Sequence, residues 1–221
     1  LCRQRDRLEP IATSRFVASL IPGARLLELP GEDDLWFVGD TDSIVGAIQE
    51  FVTGVRPVLQ SDRVLATVLI TDIVGSTELV ARLGDSAWKQ LLVDYDEQAR
   101  AEIERHRGTY VDSTGDGLLA TFDGPARAVR CAQAIGEAVR PLGIQIRAGC
   151  HTGEIQLAGT AVRGIAVHIG VRVASLAGAS EVWTSSTVKD LVAGSGLAFE
   201  DAGEHELKGV PDRWHLYRVV G

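Results

Sequence analysis

Residues 69–78 constrain the fold most, because an apolar strand pattern ends there at an acid and a helix pattern follows almost at once. The run 64–70 is apolar and rich in β-branched residues, which predicts a buried strand. Asp72 comes next, then the small-residue turn Gly75-Ser76-Thr77 and a helical pattern from Glu78. A carboxylate suits a hard cation and a helix start suits a phosphate. The alternative is that Asp72 or Ser76 serves only as a helix N-cap.

A second acid lies at the tip of a predicted β-hairpin. Residues 109–114 and 118–122 have strand patterns, and Gly115-Asp116-Gly117 between them is a strong turn signal. Taken alone, Asp116 is most simply a turn residue. Together with Asp72 at the end of a neighbouring strand, it predicts a site for one or two Mg²⁺ or Mn²⁺ ions.

Composition and charge exclude several classes of protein. The chain has 221 residues and a net charge of -8, which argues against non-specific nucleic-acid binding. Its three cysteines lack metal-ligand spacing, so we expect a reducing, cytoplasmic environment. No apolar run reaches membrane-spanning length, and we expect neither a membrane span nor a signal peptide in these residues. Because the chain lacks methionine and begins at Leu1, we expect it to be part of a longer protein.

The patterns divide the chain into three parts. Residues 1–57 form a first unit, residues 58–63 lack periodicity and are interpreted as a linker, and residues 64–221 form the main domain. The main domain begins with the order βαββαβ, which predicts an α+β fold with a ferredoxin-like core, followed by further helices and strands. Its last core strand covers residues 144–151, and Thr152-Gly153-Glu154 is interpreted as the turn that ends it.

The first unit shows helix, strand and helix patterns, and its single predicted strand would be an uncovered sheet edge unless it packs on the main domain. It resembles the C-terminal end of the α/β-hydrolase family at residues 6–10, 21–25 and 29–34. The resemblance places Asp6 at that family's triad acid and Asp34 at its triad histidine, and aspartate cannot act as that base in the same way. No Gly-x-Ser-x-Gly elbow is present, so we expect a structural remnant rather than a hydrolase site.

Residues 64–220 resemble the catalytic domain of class III adenylate/guanylate cyclases, particularly the mycobacterial and other bacterial members. Four stretches carry the resemblance, in the family's order: Thr71–Thr77, Ser113–Gly117, Gly164–Val173 and Glu206–Val210. The resemblance implies attack of the ribose 3′-OH of a nucleoside triphosphate on its α-phosphorus, with two divalent cations, Mg²⁺ or Mn²⁺, as cofactors. It also implies a homodimer whose active sites lie between the protomers, with residues from both chains.

The resemblance implies a role for each matching residue. Asp72 and Asp116 match the metal-binding acids, with the Ile73 carbonyl as a further ligand, and Ser76 and Thr77 match the turn that binds the triphosphate.

Three further positions lie downstream. Arg172 matches the arginine that stabilises charge in the transition state, and Lys208 matches the lysine that holds the terminal phosphates. His168 lies four residues before Arg172, on the same face of the predicted helix. It stands where the family often has an asparagine that positions the ribose. The alternative for His168 is a histidine packed at the dimer seam.

The residues that would read the base depart from the family's pattern. Adenylate cyclases typically carry lysine where this chain has Asp112 and aspartate where it has Ala161. A carboxylate cannot donate to adenine N1, although it can accept from the amino groups of either purine. Guanylate cyclases typically carry an acid at the first position, so Asp112 resembles them there.

The sequence therefore supports two hypotheses from different classes. The first is a cyclase that uses ATP rather than GTP, with guanylate or promiscuous activity as variants of it. The second is a degenerate cyclase-homology module that binds nucleotide weakly or only dimerises, for which Asp112 and Ala161 argue.

Overall fold

The computed structural model describes residues 1–5, 10–31, 41–55, 62–113, 115–158 and 161–220. The chain forms two compact units, Leu1–Gln60 and Ser61–Gly221. No helix in the described ranges has both the length and the apolar character that crossing a bilayer requires.

The smaller unit contains two short strands and two helices: β1 (Cys2–Arg3), α1 (Ile11–Leu20), β2 (Glu28–Leu29) and α2 (Thr41–Thr53). The prediction of a single uncovered strand is wrong, because β1 pairs with β2 in parallel. The pairing escaped the sequence analysis because two residues are too few to show a period. Asp6 and Asp34, the positions that matched the hydrolase triad, lie outside the described residues.

The larger unit is built on one sheet of eight strands with helices between them. The strands are β3 (Asp62–Ile73), β4 (Thr109–Ser113), β5 (Gly117–Phe122), β6 (Ile146–Ala158), β7 (Ala161–Arg163), β8 (Val182–Ser185), β9 (Ala198–Glu206) and β10 (Arg213–Val220). The helices are α3 (Ser76–Leu83), α4 (Asp85–Arg105), α5 (Pro125–Val139), α6 (Ile165–Leu176) and α7 (Ser186–Leu191).

The strands run in the order β4-β5-β3-β6-β8-β10-β9 across the sheet, and β7 pairs with β6 off this path. The predicted α+β class and its βαββαβ core are confirmed. The turn predicted at Thr152-Gly153-Glu154 is wrong, because β6 continues through it to Ala158. Pairing with the first residues of β3 overrides the local turn signal, with Gly153 opposite Ala66.

The two faces of the sheet bury different helices. Leu69 and Ile73 point to one face and join the largest core cluster, to which α4 and α5 contribute. Val68 points to the other face and packs with Ile155 and with Ala166 of α6. Glycine lets α6 approach closely: a Cβ at Gly149 would lie 2.3 Å from the backbone nitrogen of Ala174.

One buried histidine of β6 contacts residues of both β8 and β10. His151 of β6 is 4% exposed, and its Nδ1 lies 2.7 Å from Oγ of Ser185 at the end of β8. Its ring meets the ring of Trp214 on β10 edge-on, with 5.5 Å between the centroids. Burial lowers the pKa of His151 from 6.5 to about 4, so the imidazole is neutral in the folded chain at neutral pH.

His151 predicts a loss of stability in acid. Between pH 6.5 and about 4 the unfolded chain binds a proton at this histidine and the folded chain does not. The free energy of unfolding therefore falls as the pH is lowered through that window, by about 3 kcal/mol in total. Chemical denaturation at pH 7 and pH 4.5 should show a smaller difference for His151→Asn than for the original chain. Equal differences would contradict this assignment.

Candidate active site

Backbone pairing brings the two predicted metal acids together at one end of the sheet. Asp72 lies opposite Gly117 of β5, and the N–H of the next residue, Ile73, donates to the carbonyl of Asp116 at 3.0 Å. Because β3 is paired on both sides, with β5 and with β6, the position of its end is well defined. Asp72 and Asp116 are both partly exposed, as ligands of an exchangeable ion must be.

The turn after β3 leads directly into a helix start. Gly75 adopts φ +67°, a left-handed conformation that glycine tolerates, and α3 begins at Ser76. Among the described residues no side chain makes a cap hydrogen bond to this helix start, so neither Asp72 nor Ser76 serves as an N-cap. The first-turn N–H groups at Ser76 and Thr77 therefore keep their capacity to bind an anion.

A buried hydrogen bond supports the strand next to Asp72. The hydroxyl oxygens of Thr71 and Tyr95 lie 2.6 Å apart, and both residues are almost fully buried. Burial raises the pKa of the Tyr95 phenol well above its usual range, so the group stays neutral. This hydrogen bond links α4 to Thr71, which precedes Asp72 near the end of β3.

Arg147 contacts Asp72, and the sequence analysis did not assign it to the site. It lies opposite Asp72 in the β3–β6 register, and its Nε donates to Oδ2 of Asp72 at 2.8 Å. Its Nη1 donates to the carbonyl of Ser175 on α6 at 3.4 Å. Arg147 is one of several polar residues in an alternating strand pattern, so the sequence carries no distinct signal for it, and only the register shows which acid it faces.

The two downstream cations form a second group. Nε of Arg172 on α6 donates to the backbone carbonyl of Lys208 at 3.0 Å, while the Lys208 side chain is exposed. His168 is exposed one helical turn before Arg172. In the described part of the chain, no hydrogen bond or ion pair joins Arg172 or Lys208 to Asp72 or Asp116.

The two positions predicted to contact the base lie on short strands that contact each other, β4 and β7. Asp112 is exposed, and its Oδ1 accepts from the N–H of Ser113 at 2.8 Å. Ala161 is exposed at the start of β7, opposite Ala158. A register shift between Tyr110 and Asp112 interrupts the β4–β5 pairing just before the acid.

The donor set at the end of β3 fits a hard divalent cation. It consists of two carboxylates, Asp72 and Asp116, and the carbonyl of Ile73, all of them oxygen ligands. The described residues contain no cluster of three or more histidine, cysteine, aspartate or glutamate side chains with metal-binding geometry. Two carboxylates and one carbonyl match Mg²⁺ or Mn²⁺, which keep waters and substrate phosphates as their remaining ligands. They do not match zinc.

Comparisons with known proteins place this geometry in context. No protein-family model matches the chain. A Rhizobium meliloti protein named "Putative adenylate cyclase 3" is 29% identical over 164 residues, which are 70% of this chain and 28% of that relative. This chain therefore spans less than a third of that relative's length.

Two solved cyclase structures are matched over nearly their whole length. The adenylyl cyclase CyaB from P. aeruginosa matches with a TM-score of 0.68 and 25% identity, over 74% of this chain and 97% of that one. The guanylyl cyclase Cya2 matches with a TM-score of 0.63 and 26% identity, over 73% of this chain and 94% of that one. The larger unit of this protein therefore has the fold of class III adenylyl and guanylyl cyclase domains.

Proposed function

We propose that the larger unit is a class III nucleotide cyclase, which converts a nucleoside triphosphate, ATP in preference to GTP, into the cyclic 3′,5′-nucleotide and pyrophosphate. One observation carries the proposal: Asp72 and Asp116 lie beside each other at the end of β3, next to the uncapped start of α3, on a cyclase fold. This neighbourhood supports the proposal because carboxylate oxygens suit cations and free N–H groups at a helix start suit a triphosphate.

The chemistry is an intramolecular displacement. The ribose 3′-oxygen forms a bond to the α-phosphorus, and the 3′-OH proton is released. The bond from the α-phosphorus to the oxygen that bridges to the β-phosphorus breaks, so pyrophosphate leaves. When bound, two divalent cations would lower the pKa of the 3′-OH and neutralise charge on the phosphates. Asp72, Asp116 and the Ile73 carbonyl would hold them.

The protein's own cations would act on the phosphates. The first-turn amides of Ser76 and Thr77 bind the β- and γ-phosphates, and Arg147 adds a positive charge beside Asp72. Arg172 stabilises the charge that develops on the pentacovalent phosphorus, because its planar fork pairs with phosphate oxygens. Lys208 holds the terminal phosphates, and His168 can donate to a ribose or phosphate oxygen.

The separation of the two groups supports a site shared between two copies of the chain. Arg172 and Lys208 contact each other, and among the described residues neither makes a hydrogen bond or ion pair with Asp72 or Asp116 of its own chain. We propose a two-fold homodimer, in which Asp72 and Asp116 of one protomer face Arg172 and Lys208 of its partner. One dimer then has two equivalent sites.

The positions that would read the base favour a second candidate function. Asp112 already accepts from its neighbouring amide, and Ala161 offers a methyl group in place of a hydrogen-bond acceptor. A site without base recognition would be a slow or promiscuous cyclase, or a module that serves nucleotide binding or dimerisation. Activity assays separate these.

The smaller unit is proposed to be the C-terminal remnant of an α/β-hydrolase domain, of the kind that precedes some mycobacterial cyclases. The β1–α1–β2 order with parallel strands supports this, because parallel strands joined through a helix are the building unit of α/β folds.

Removal of the first metal acid should abolish activity. Purified protein with Mn²⁺ and ATP should form cyclic nucleotide. Asp72→Asn should lower the rate by about a hundredfold or more, because it removes a negatively charged ligand of the divalent cation. Asp123→Asn, at the far end of β5 with a side chain 73% exposed, is the matched control and should keep the original rate. No product from ATP or GTP at high protein concentration would exclude the enzyme.

The shared site predicts complementation between inactive variants. Asp72→Asn and Arg172→Ala should each be inactive alone, whereas their co-expression gives heterodimers with one intact site and one doubly altered site. With random assembly, half of the dimers are heterodimers, so roughly a quarter of the original specific activity should return. A mixture no more active than the separate variants would contradict a site built from two chains.

Restoring the usual base-reading pair should raise ATP turnover. Asp112→Lys with Ala161→Asp supplies a donor for adenine N1 and an acceptor for its amino group. Because one hydrogen-bond partner is worth roughly 1–3 kcal/mol, kcat/KM for ATP should rise about tenfold or more, while that for GTP should not. Steady-state kinetics of both nucleotides provide the measurement. An unchanged ATP rate would show that base recognition does not limit this protein.

A further inference from the structure

Lys208 lies in the connection between β9 and β10, residues 207–212, which is called the lysine loop below. Its first residue, Leu207, is 3% exposed and packs against Ile169 and Val173 of α6 and Leu216 of β10. Inside the loop, the N–H of Val210 donates to the carbonyl of Leu207 at 2.9 Å. The two strands fix the ends of the lysine loop, but Lys208 itself is exposed and needs another constraint to hold its direction.

Trp214 contacts the far side of the lysine loop. Its indole Nε1 donates to the carbonyl of Pro211 at 2.9 Å, across the start of β10. Its ring meets the ring of His151 edge-on, and His151 is itself buried and hydrogen-bonded to Ser185. The indole therefore connects the lysine loop to His151, a buried residue whose position is supported by its own hydrogen bond to Ser185.

The near side of the same loop holds Arg172. Nε of Arg172 donates to the Lys208 carbonyl at 3.0 Å, which uses the one donor that lies on the chain side of the guanidinium. The four N–H groups on the two terminal nitrogens remain for a phosphate. The orientation of that fork thus depends on where the loop places the Lys208 carbonyl.

We propose that Trp214 is a positioning residue for Lys208 and Arg172: its indole N–H holds the lysine loop at Pro211, and the loop in turn orients the lysine side chain and the arginine fork toward a bound triphosphate. This inference rests on the proposed cyclase function for its consequence on substrate. The contacts that support it are internal to the larger unit. Trp214 acts through the loop and touches neither phosphate nor metal.

The test compares two tryptophans that differ in their hydrogen-bond partner. Trp214→Phe keeps an aromatic ring but loses the donor to Pro211, while Trp183→Phe is the matched control. Trp183 packs against the same apolar cluster and is also partly buried, yet its Nε1 donates to Glu181 at 2.8 Å rather than to the loop. Replacement of Trp214 by benzothienylalanine, in which sulfur takes the place of the N–H, removes the donor while keeping the ring's size.

Two readouts are needed. Hydrogen exchange of the Val210 amide should become about five- to tenfold faster in Trp214→Phe and in the benzothienylalanine variant, because the loop opens more often, and should stay unchanged in Trp183→Phe. KM for the nucleotide should rise about three- to tenfold in the same two variants, since the cations that bind the terminal phosphates lose their fixed direction. A melting temperature equal to that of Trp183→Phe separates this effect from general destabilisation.

The proposal would be overturned if the Val210 amide exchanged hydrogen at the original rate in both Trp214 variants. It would also be overturned if Trp183→Phe accelerated that exchange equally. Faster loop exchange with unchanged KM and kcat would also overturn it, because the loop would then have no effect on substrate. The exchange measurement needs no turnover. An original protein without cyclase activity would therefore overturn the proposed function, while the contact between Trp214 and the loop would still be judged by exchange alone.

Discussion

The close packing of α6 on the two central strands is the constraint on which the rest of the larger unit depends. A Cβ at Gly149 would lie 2.3 Å from the backbone nitrogen of Ala174, and one at Gly170 would lie 2.8 Å from Cγ2 of Val68. Glycine on both sides of the contact lets helix and sheet backbones approach almost directly. The depth of α6 on the sheet sets where Arg172 lies, and the pairing of β3 sets where Asp72 lies. The α6 interface thus fixes Arg172 relative to the sheet whose strand β3 carries Asp72.

Electrostatics at the end of β3 follow from the strand register. The chain carries a net charge of -8, and an isolated acid at Asp72 would add to an already negative surface. The register instead places Arg147 opposite it, and the guanidinium makes an ion pair with the carboxylate at 2.8 Å. Anion and cation therefore stand side by side at the end of β3, beside the start of α3.

Local patterns predicted most of the elements in the larger unit because each carries a strong period or turn signal. β3 is rich in β-branched residues, the β4–β5 hairpin has Asp-Gly at its turn, and α5 begins with proline and shows a helical apolar stripe. The failures share one cause. Gly153 carries a local turn signal but lies inside β6, because pairing with β3, a strand far away in the sequence, overrides that signal. β1 and β7 are two and three residues long and likewise exist only through pairing.

The sequence by itself determined the order of elements, the acid at the end of the first long strand and the acid at the hairpin tip, since these depend on residue type and spacing within about ten positions. Only the tertiary structure decided that Arg147 faces Asp72, that the start of α3 is uncapped, and that the Lys208 carbonyl and Pro211 connect Arg172 to Trp214. These contacts join residues that are distant along the chain or meet across a turn. Their geometry is set by sheet register and helix depth, which long-range packing determines.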